Sequence, residues 1–258
     1  MKIFKILFKV IIIVILFVFI INLVLKNISY SFYKGERKMD NLKVLPKKVD
    51  YGNGLTGYGY NMDKKSKSVI LCFGGSFYIA YNTVGSFASF YDVPFLAVDY
   101  YGTQDSQGKM NLKGMQASAE ALYDWVKEKY PGCRIIIIGH SYGCGMAAYL
   151  ASVRVCDGLY LAAGYRDLSD LYNRIVPVFW GPLKLLISDN IKVYEYAEKT
   201  DCPVTVIGSD ADGTLSGNLQ RKLARYYRQV ELHIFSDIEH EDYLTDERVV
   251  ELIRNSLE

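Results

Sequence analysis

Gly139-His140-Ser141-Tyr142-Gly143 is the segment whose residue types most directly imply chemistry. It follows Arg134 and four consecutive isoleucines, Ile135 to Ile138, and precedes Cys144 to Leu150, a run able to form a helix. An apolar run without polar alternation reads as a central parallel strand covered on both faces. A serine on a sharp strand-to-helix turn exposes its hydroxyl, and the flanking glycines remove side chains that would strike neighbouring backbone. The chemistry this predicts is nucleophilic attack on a carbonyl by Ser141, followed by acyl transfer.

A serine hydroxyl needs a base, and the chain has three histidines. His140 adjoins the nucleophile on a tight turn that aims its side chain elsewhere, so it is expected to pack beside the sheet. His233 alternates with Val230, Leu232 and Ile234 and reads as a strand residue. His240 follows the last strand in the loop Ser236-Asp237-Ile238-Glu239, at the carboxyl end where sites of such sheets lie. An acid orienting this base belongs between the serine and the histidine in chain order. The loop Ser209-Asp210-Ala211-Asp212-Gly213 offers two. Asp212 is preferred, with Asp210 as the alternate, able to shape the turn instead. For the oxyanion, Tyr142 N–H is one donor by position; Phe73-Gly74-Gly75-Ser76-Phe77 supplies Ser76 N–H, with Phe77 N–H as the alternate.

The elements that must hold these groups alternate short β-rich runs with helical patterns of 10 to 18 residues from about residue 50 onward. Strands are expected at Ser68 to Phe73, Phe95 to Val98, Arg134 to Ile138, Leu159 to Ala162, Val204 to Ile207 and Val230 to Phe235. Met115, Ala119, Leu122 and Val126 place an amphipathic helix over Asn111 to Lys129; a short helix over Tyr81 to Phe90 and a closing one over Thr245 to Leu257 complete the pattern. The fold class is therefore α/β, with a mostly parallel sheet and helices on both faces. Residues 163–202 form an apolar, aromatic insert, expected either to cap the site or to pack as helices on the sheet.

The amino-terminal segment is of another kind. Val10 to Leu25 carries no charge, and Ile6 to Leu25 is apolar throughout if Lys9 snorkels. Twenty helical residues rise about 30 Å, enough to cross a hydrocarbon core. Bulky residues and the lack of a small-x-small motif before Lys26-Asn27-Ile28 favour an uncleaved anchor at 1–26 over a signal peptide. Residues 27–50 read as a polar, lysine-rich tether, and 51–258 as the α/β domain. Lys2 and Lys5 would keep the amino terminus inside and put the domain outside the cytoplasm; Lys26, Lys34, Arg37 and Lys38 oppose this. A net charge of +2 gives no nucleic-acid-binding surface. The five cysteines lack zinc spacing and read as buried free thiols, so neither metal nor other cofactor is expected.

Taken together these motifs resemble the α/β-hydrolase superfamily, and within it the Bem46-like or ABHD12/13-like membrane-tethered serine hydrolases. The likeness lies in Phe73 to Ser76, in Asp99 to Gly108, in the serine turn, in Gly208 to Leu215 and in His240-Glu241-Asp242-Tyr243. It departs where Gly74 stands in place of a histidine and where the acid loop is one residue longer. The resemblance implies hydrolysis of a carboxylic ester, thioester or lipid acyl bond through an acyl-serine. A peptidase on the same residues, or a non-catalytic membrane-tethered binding module, are the competing classes; an intact set of catalytic parts argues against the latter.

Overall fold

Four successive isoleucines leave a strand no polar face, so it must be covered on both sides. In the computed structural model, which describes residues 2–35 and 37–257, that is where they sit. Ile135 to Ile138 are at most 1% exposed, in the middle of an eight-stranded sheet. The strands are β1 (Lys47–Gly52), β2 (Leu55–Tyr60), β3 (Ser68–Phe73), β4 (Phe95–Val98), β5 (Arg134–His140), β6 (Gly158–Ala162), β7 (Val204–Ser209) and β8 (Val230–Phe235). Their spatial order is β1-β2-β4-β3-β5-β6-β7-β8. β1 and β2 run antiparallel to their neighbours and the other six are mutually parallel.

Register aligns the carboxyl ends of the strands. Phe73 pairs with Gly139, His140 with Ala162, Ile207 with Ala162 in turn, and Ser209 with Phe235. The loops that leave β3, β5, β7 and β8 therefore emerge along one edge, where parallel sheets bind their ligands.

The helices are α1 (Lys2–Ser31), α2 (Ala80–Phe87), α3 (Leu112–Lys129), α4 (Gly143–Val153), α5 (Leu168–Ile175), α6 (Val193–Ala197), α7 (Gly217–Ala224) and α8 (Glu247–Arg254). The expected α3 forms on schedule because Asn111 caps it, accepting from Gly114 N–H at 2.9 Å. α8 is shorter than the hydrophobic pattern suggested, starting where Asp246 caps it by accepting from Arg248 N–H at 3.0 Å. Among the described residues all five cysteines are free, with Cys156 and Cys202 Sγ atoms 2.7 Å apart.

Residues 27–50 are not a detached tether. α1 continues to Ser31, Tyr33 is 1% exposed, and Lys47–Asp50 already belongs to β1. Lysine content hid Leu25 and Ser29, buried on one face of α1, and Tyr33, buried just beyond its end; the hydroxyls of Ser29 and Tyr33 find partners in the domain. The β1–β2 hairpin is likewise unexpected. Its turn is Asn53-Gly54, with φ of 53° and 72°, the left-handed pair that a two-residue hairpin demands. Met1, Glu36 and Glu258, at the ends of the expected anchor and domain and within the expected tether, lie outside the described residues.

Candidate active site

The turn between β5 and α4 is built by exclusion. A Cβ at Gly143 would lie 2.0 Å from Phe73 O, and one at Gly139 would lie 2.7 Å from Cys144 Cα. Only glycine permits this approach of three backbone segments. Between them Ser141 has φ of 51°, the left-handed region that costs a non-glycine residue of order 1 kcal/mol or more. Its amide donates to Ala162 O at 2.9 Å, which fixes the strained residue to β6.

The loops after β7 and β8 bring the partners. Ser141 Oγ lies 3.0 Å from His240 Nε2, and His240 Nδ1 lies 2.9 Å from Asp212 Oδ2. With Nδ1–H donated to the carboxylate, Nε2 is free to accept the serine proton. Asp212 is 2% exposed and its other oxygen accepts from Thr214 N–H at 2.8 Å and Leu215 N–H at 2.7 Å. Burial alone would raise this carboxyl; hydrogen bonds from His240 and the two amides outweigh it and hold the carboxyl below its ordinary value. Asp210 points elsewhere. Its oxygens accept from Arg221 at 2.7 and 2.9 Å on the exposed side of the same loop. His233 remains in β8 beside Glu231, at 3.6 Å.

Two residues join the constellation without a role foreseen for either. Tyr243 donates its hydroxyl to Asp212 Oδ2 at 3.2 Å; its place in the His-x-x-Tyr segment was the only sign of it. His140 does pack at the sheet's edge, but its Nε2–H also donates to His240 O at 2.8 Å, tying the residue before the serine to the loop that carries His240. Burial lowers its pKa from 6.5 to about 4, with the neighbouring His240 adding to the effect. Ser209 Oγ completes the scaffold, accepting from Ala211 N–H and Ile238 N–H, both at 3.1 Å, so that one buried hydroxyl joins the β7 and β8 loops.

On the β3 side the backbone at Gly75 comes close, an added Cβ falling 3.3 Å from that of Ser141. Phe77 N–H is engaged, donating to Phe32 O at 2.7 Å, with Phe77 itself at φ of 56°. Ser76 and Tyr142 amides have no protein acceptor among the described residues. A cleft of about 140 Å³ opens beside Ser141, walled by Phe32, Ser76, Tyr142, Leu171, Ile175 and Leu215. The Phe32 ring stacks on Tyr142, centroids 5.1 Å apart and planes 17° from parallel.

A family model described as alpha/beta hydrolase fold matches residues 69–181, which includes the serine turn. With the strand order above, this decides the fold. The chain has the α/β-hydrolase fold. Its α/β-hydrolase domain is similar to the lysophosphatidylserine lipase ABHD12 of Danio rerio, 28% identical over 142 residues that cover 48% of this chain and 37% of that protein. The protein of the same name in Rattus norvegicus is 29% identical, covering 48% of this chain and 35% of its own length. The chain thus spans little more than a third of the length of these relatives. Among solved structures, the Pyrococcus furiosus esterase Pf2001 superposes with a TM-score of 0.63 at 18% identity, covering 87% of this chain and 98% of the esterase.

Gly143→Ala is expected to lower the thermal unfolding midpoint and the yield of folded protein, because its Cβ would meet a backbone oxygen that cannot move aside. Gly213→Ala, with nothing within 4 Å of its Cβ, is the matched control and should unfold like the parent. His140 makes a second expectation. Its folded pKa, about 4, lies below the ordinary 6.5, so the unfolded chain binds the extra proton and stability falls as pH drops through that interval. Thermal midpoints in detergent should decline from pH 7 toward pH 5, and the decline should be shallower in His140→Gln.

Proposed function

We propose that the chain is a membrane-anchored serine hydrolase that cleaves a carboxylic ester or lipid acyl bond through an acyl-serine intermediate. The observation that carries this reading is the continuous hydrogen-bonded chain from Ser141 through His240 to Asp212, set at the floor of an apolar cleft. Ser141 Oγ attacks the carbonyl carbon while its proton passes to His240 Nε2. The carbonyl oxygen gathers charge between Ser76 N–H and Tyr142 N–H; Phe77 N–H, already bound to Phe32 O, is not free to serve. His240 then gives the proton to the leaving oxygen. Water enters, loses its proton to His240 and attacks the acyl-serine, which releases the carboxylic acid and returns the proton to Ser141. Asp212 stays ionised throughout, holding the imidazole tautomer and offsetting the charge on the imidazolium.

The cleft suits an acyl chain: Phe32, Leu171, Ile175 and Leu215 offer apolar walls, and its volume of about 140 Å³ leaves space for part of one chain. The relatives are named for lysophosphatidylserine lipase activity, and a lipid ester agrees with such a site and with α1. Its stretch Ile3–Ser31 contains an 18-residue window of mean hydropathy 3.1, long and apolar enough to cross a bilayer.

Labelling by a fluorophosphonate probe tests the assignment, since only an activated serine reacts. The full chain should label and Ser141→Ala should not, with both showing the same thermal unfolding. Labelling that persists in Ser141→Ala would reject the nucleophile. The two aspartates are separated by turnover of a short-chain aryl ester: Asp212→Asn should lose roughly 10⁴-fold, the scale seen when a triad acid is neutralised. Asp210→Asn, which severs only an exposed ion pair with Arg221, should stay within a factor of about two of the parent.

A further inference from the structure

α1 does not leave the domain at the membrane surface. The face of α1 that turns from exposed to covered begins at Ile21 and continues through Asn22, Leu25, Lys26 and Ser29. Asn22 Nδ2 donates to Leu186 O at 3.0 Å and Tyr172 donates to Leu25 O at 2.8 Å, while Lys26 pairs with Asp189 at 2.7 Å. Asn22 lies a helical turn before Lys26, about 6 Å further along the axis into the apolar stretch. Whatever covers Asn22 therefore shares the depth of the hydrocarbon. What covers it is the 3-10 turn Gly181–Leu186 of the insert.

The composition of that part of the insert fits the same depth. From Ile175 to Ile187 the only charged residue is Lys184, and its ammonium turns inward to the buried carboxylate of Asp167 at 2.7 Å. The Trp180 indole N–H is satisfied by Pro177 O at 3.0 Å. What remains outward is apolar: Ile175 is 67% exposed, Trp180 58% and Leu185 84%, with Val176, Val178 and Leu183 between them. An exposed apolar patch continuous with a spanning helix is covered by lipid at low cost, whereas in water it is a liability.

We infer that residues 175–187 are inserted in the bilayer beside α1, so that the cleft at Ser141 opens sideways into the lipid leaflet. Ile175 belongs to both surfaces, since it walls the cleft and begins the exposed stretch. A lipid acyl chain can thus pass from the leaflet to Ser141 without crossing water, with Phe32 and Ile175 as the two sides of the passage. The occupant of the patch is bilayer lipid, and the inference rests on α1 as the membrane span.

Trp180 is a built-in depth probe, because the only other tryptophan is Trp125. The full chain carrying Trp125→Phe is reconstituted in phosphatidylcholine vesicles whose acyl chains are brominated midway. Emission of Trp180 should fall at least about twofold against unbrominated vesicles, as for an indole buried among acyl chains, and aqueous iodide should have little effect. Emission untouched by bromine but quenched by iodide places the segment in water; emission touched by neither places it under a second copy or another part of the chain. Either result overturns the inference. Trp180→Phe, retaining Trp125, gives the complementary reading if the first variant folds poorly: its emission should lose the bromine-sensitive part. Alkaline carbonate extraction separates the premises. A chain that stays with the vesicles while Trp180 is unquenched refutes insertion of the cap alone, whereas an extracted chain refutes the anchor. Fluorophosphonate labelling of Ser141, read in the same vesicles, reports on the hydrolase assignment independently of both.

Discussion

The contact on which the site depends is between backbones. The start of α4 approaches the end of β3 so closely that no side chain fits at Gly143, and this one approach does three things at once. It lifts Ser141 out of the sheet into a left-handed conformation. It sets the amide of Tyr142, at the positive end of α4, opposite the Gly75-Ser76 backbone. It also places both against the cleft wall. Strain at Ser141 is held by packing on either side, because β5 is buried on both faces and cannot relax by tilting.

The remaining groups reach the serine through hydrogen bonds rather than packing. The β7 and β8 loops are exposed in large part, yet Ser209 Oγ, Asp212 and the His140 imidazole are buried and each bridges two loops. In a low-dielectric setting such bonds are worth more, and each one broken leaves a buried polar group without a partner. His240 is therefore located by a network whose members are themselves fixed by the sheet's edge.

Much of this was legible in the residues because the sheet's interior strands and the serine turn obey local rules. β3, β4 and β8 have the bounds their apolar runs suggest, and Asn111 marks the start of α3. The preference for Asp212 over Asp210 agrees with the distances, although the reason for it, a loop returning toward α7, says nothing of the amides that hold the carboxylate. Long-range partners left no such trace. The His140 bond to a carbonyl 100 positions away and the Tyr243 bond to Asp212 depend on how loops cross in space. The β1–β2 hairpin was hidden because its strands are rich in lysine, glycine and tyrosine rather than in β-branched residues, although its Asn53-Gly54 turn was readable. The stretch at the end of α1 reads as a tether because its residues are polar, whereas Ser29, Tyr30 and Tyr33 hydrogen-bond into the domain.

The bond from Phe77 N–H to Phe32 O has a practical consequence for anyone who would handle the domain in isolation. A chain cut to begin after Gly35, as would be natural for making a freely soluble enzyme, discards the carbonyl that holds Phe77 in its left-handed conformation. It also discards the ring stacked on Tyr142 and the hydroxyl of Tyr33 against Tyr142 O. The loop beside Ser76 would be released and the cleft would lose a wall while the serine, histidine and aspartate stayed in place. The preference of such a fragment among substrates would describe a different cavity. Selectivity profiles taken from trimmed and intact forms should not be pooled.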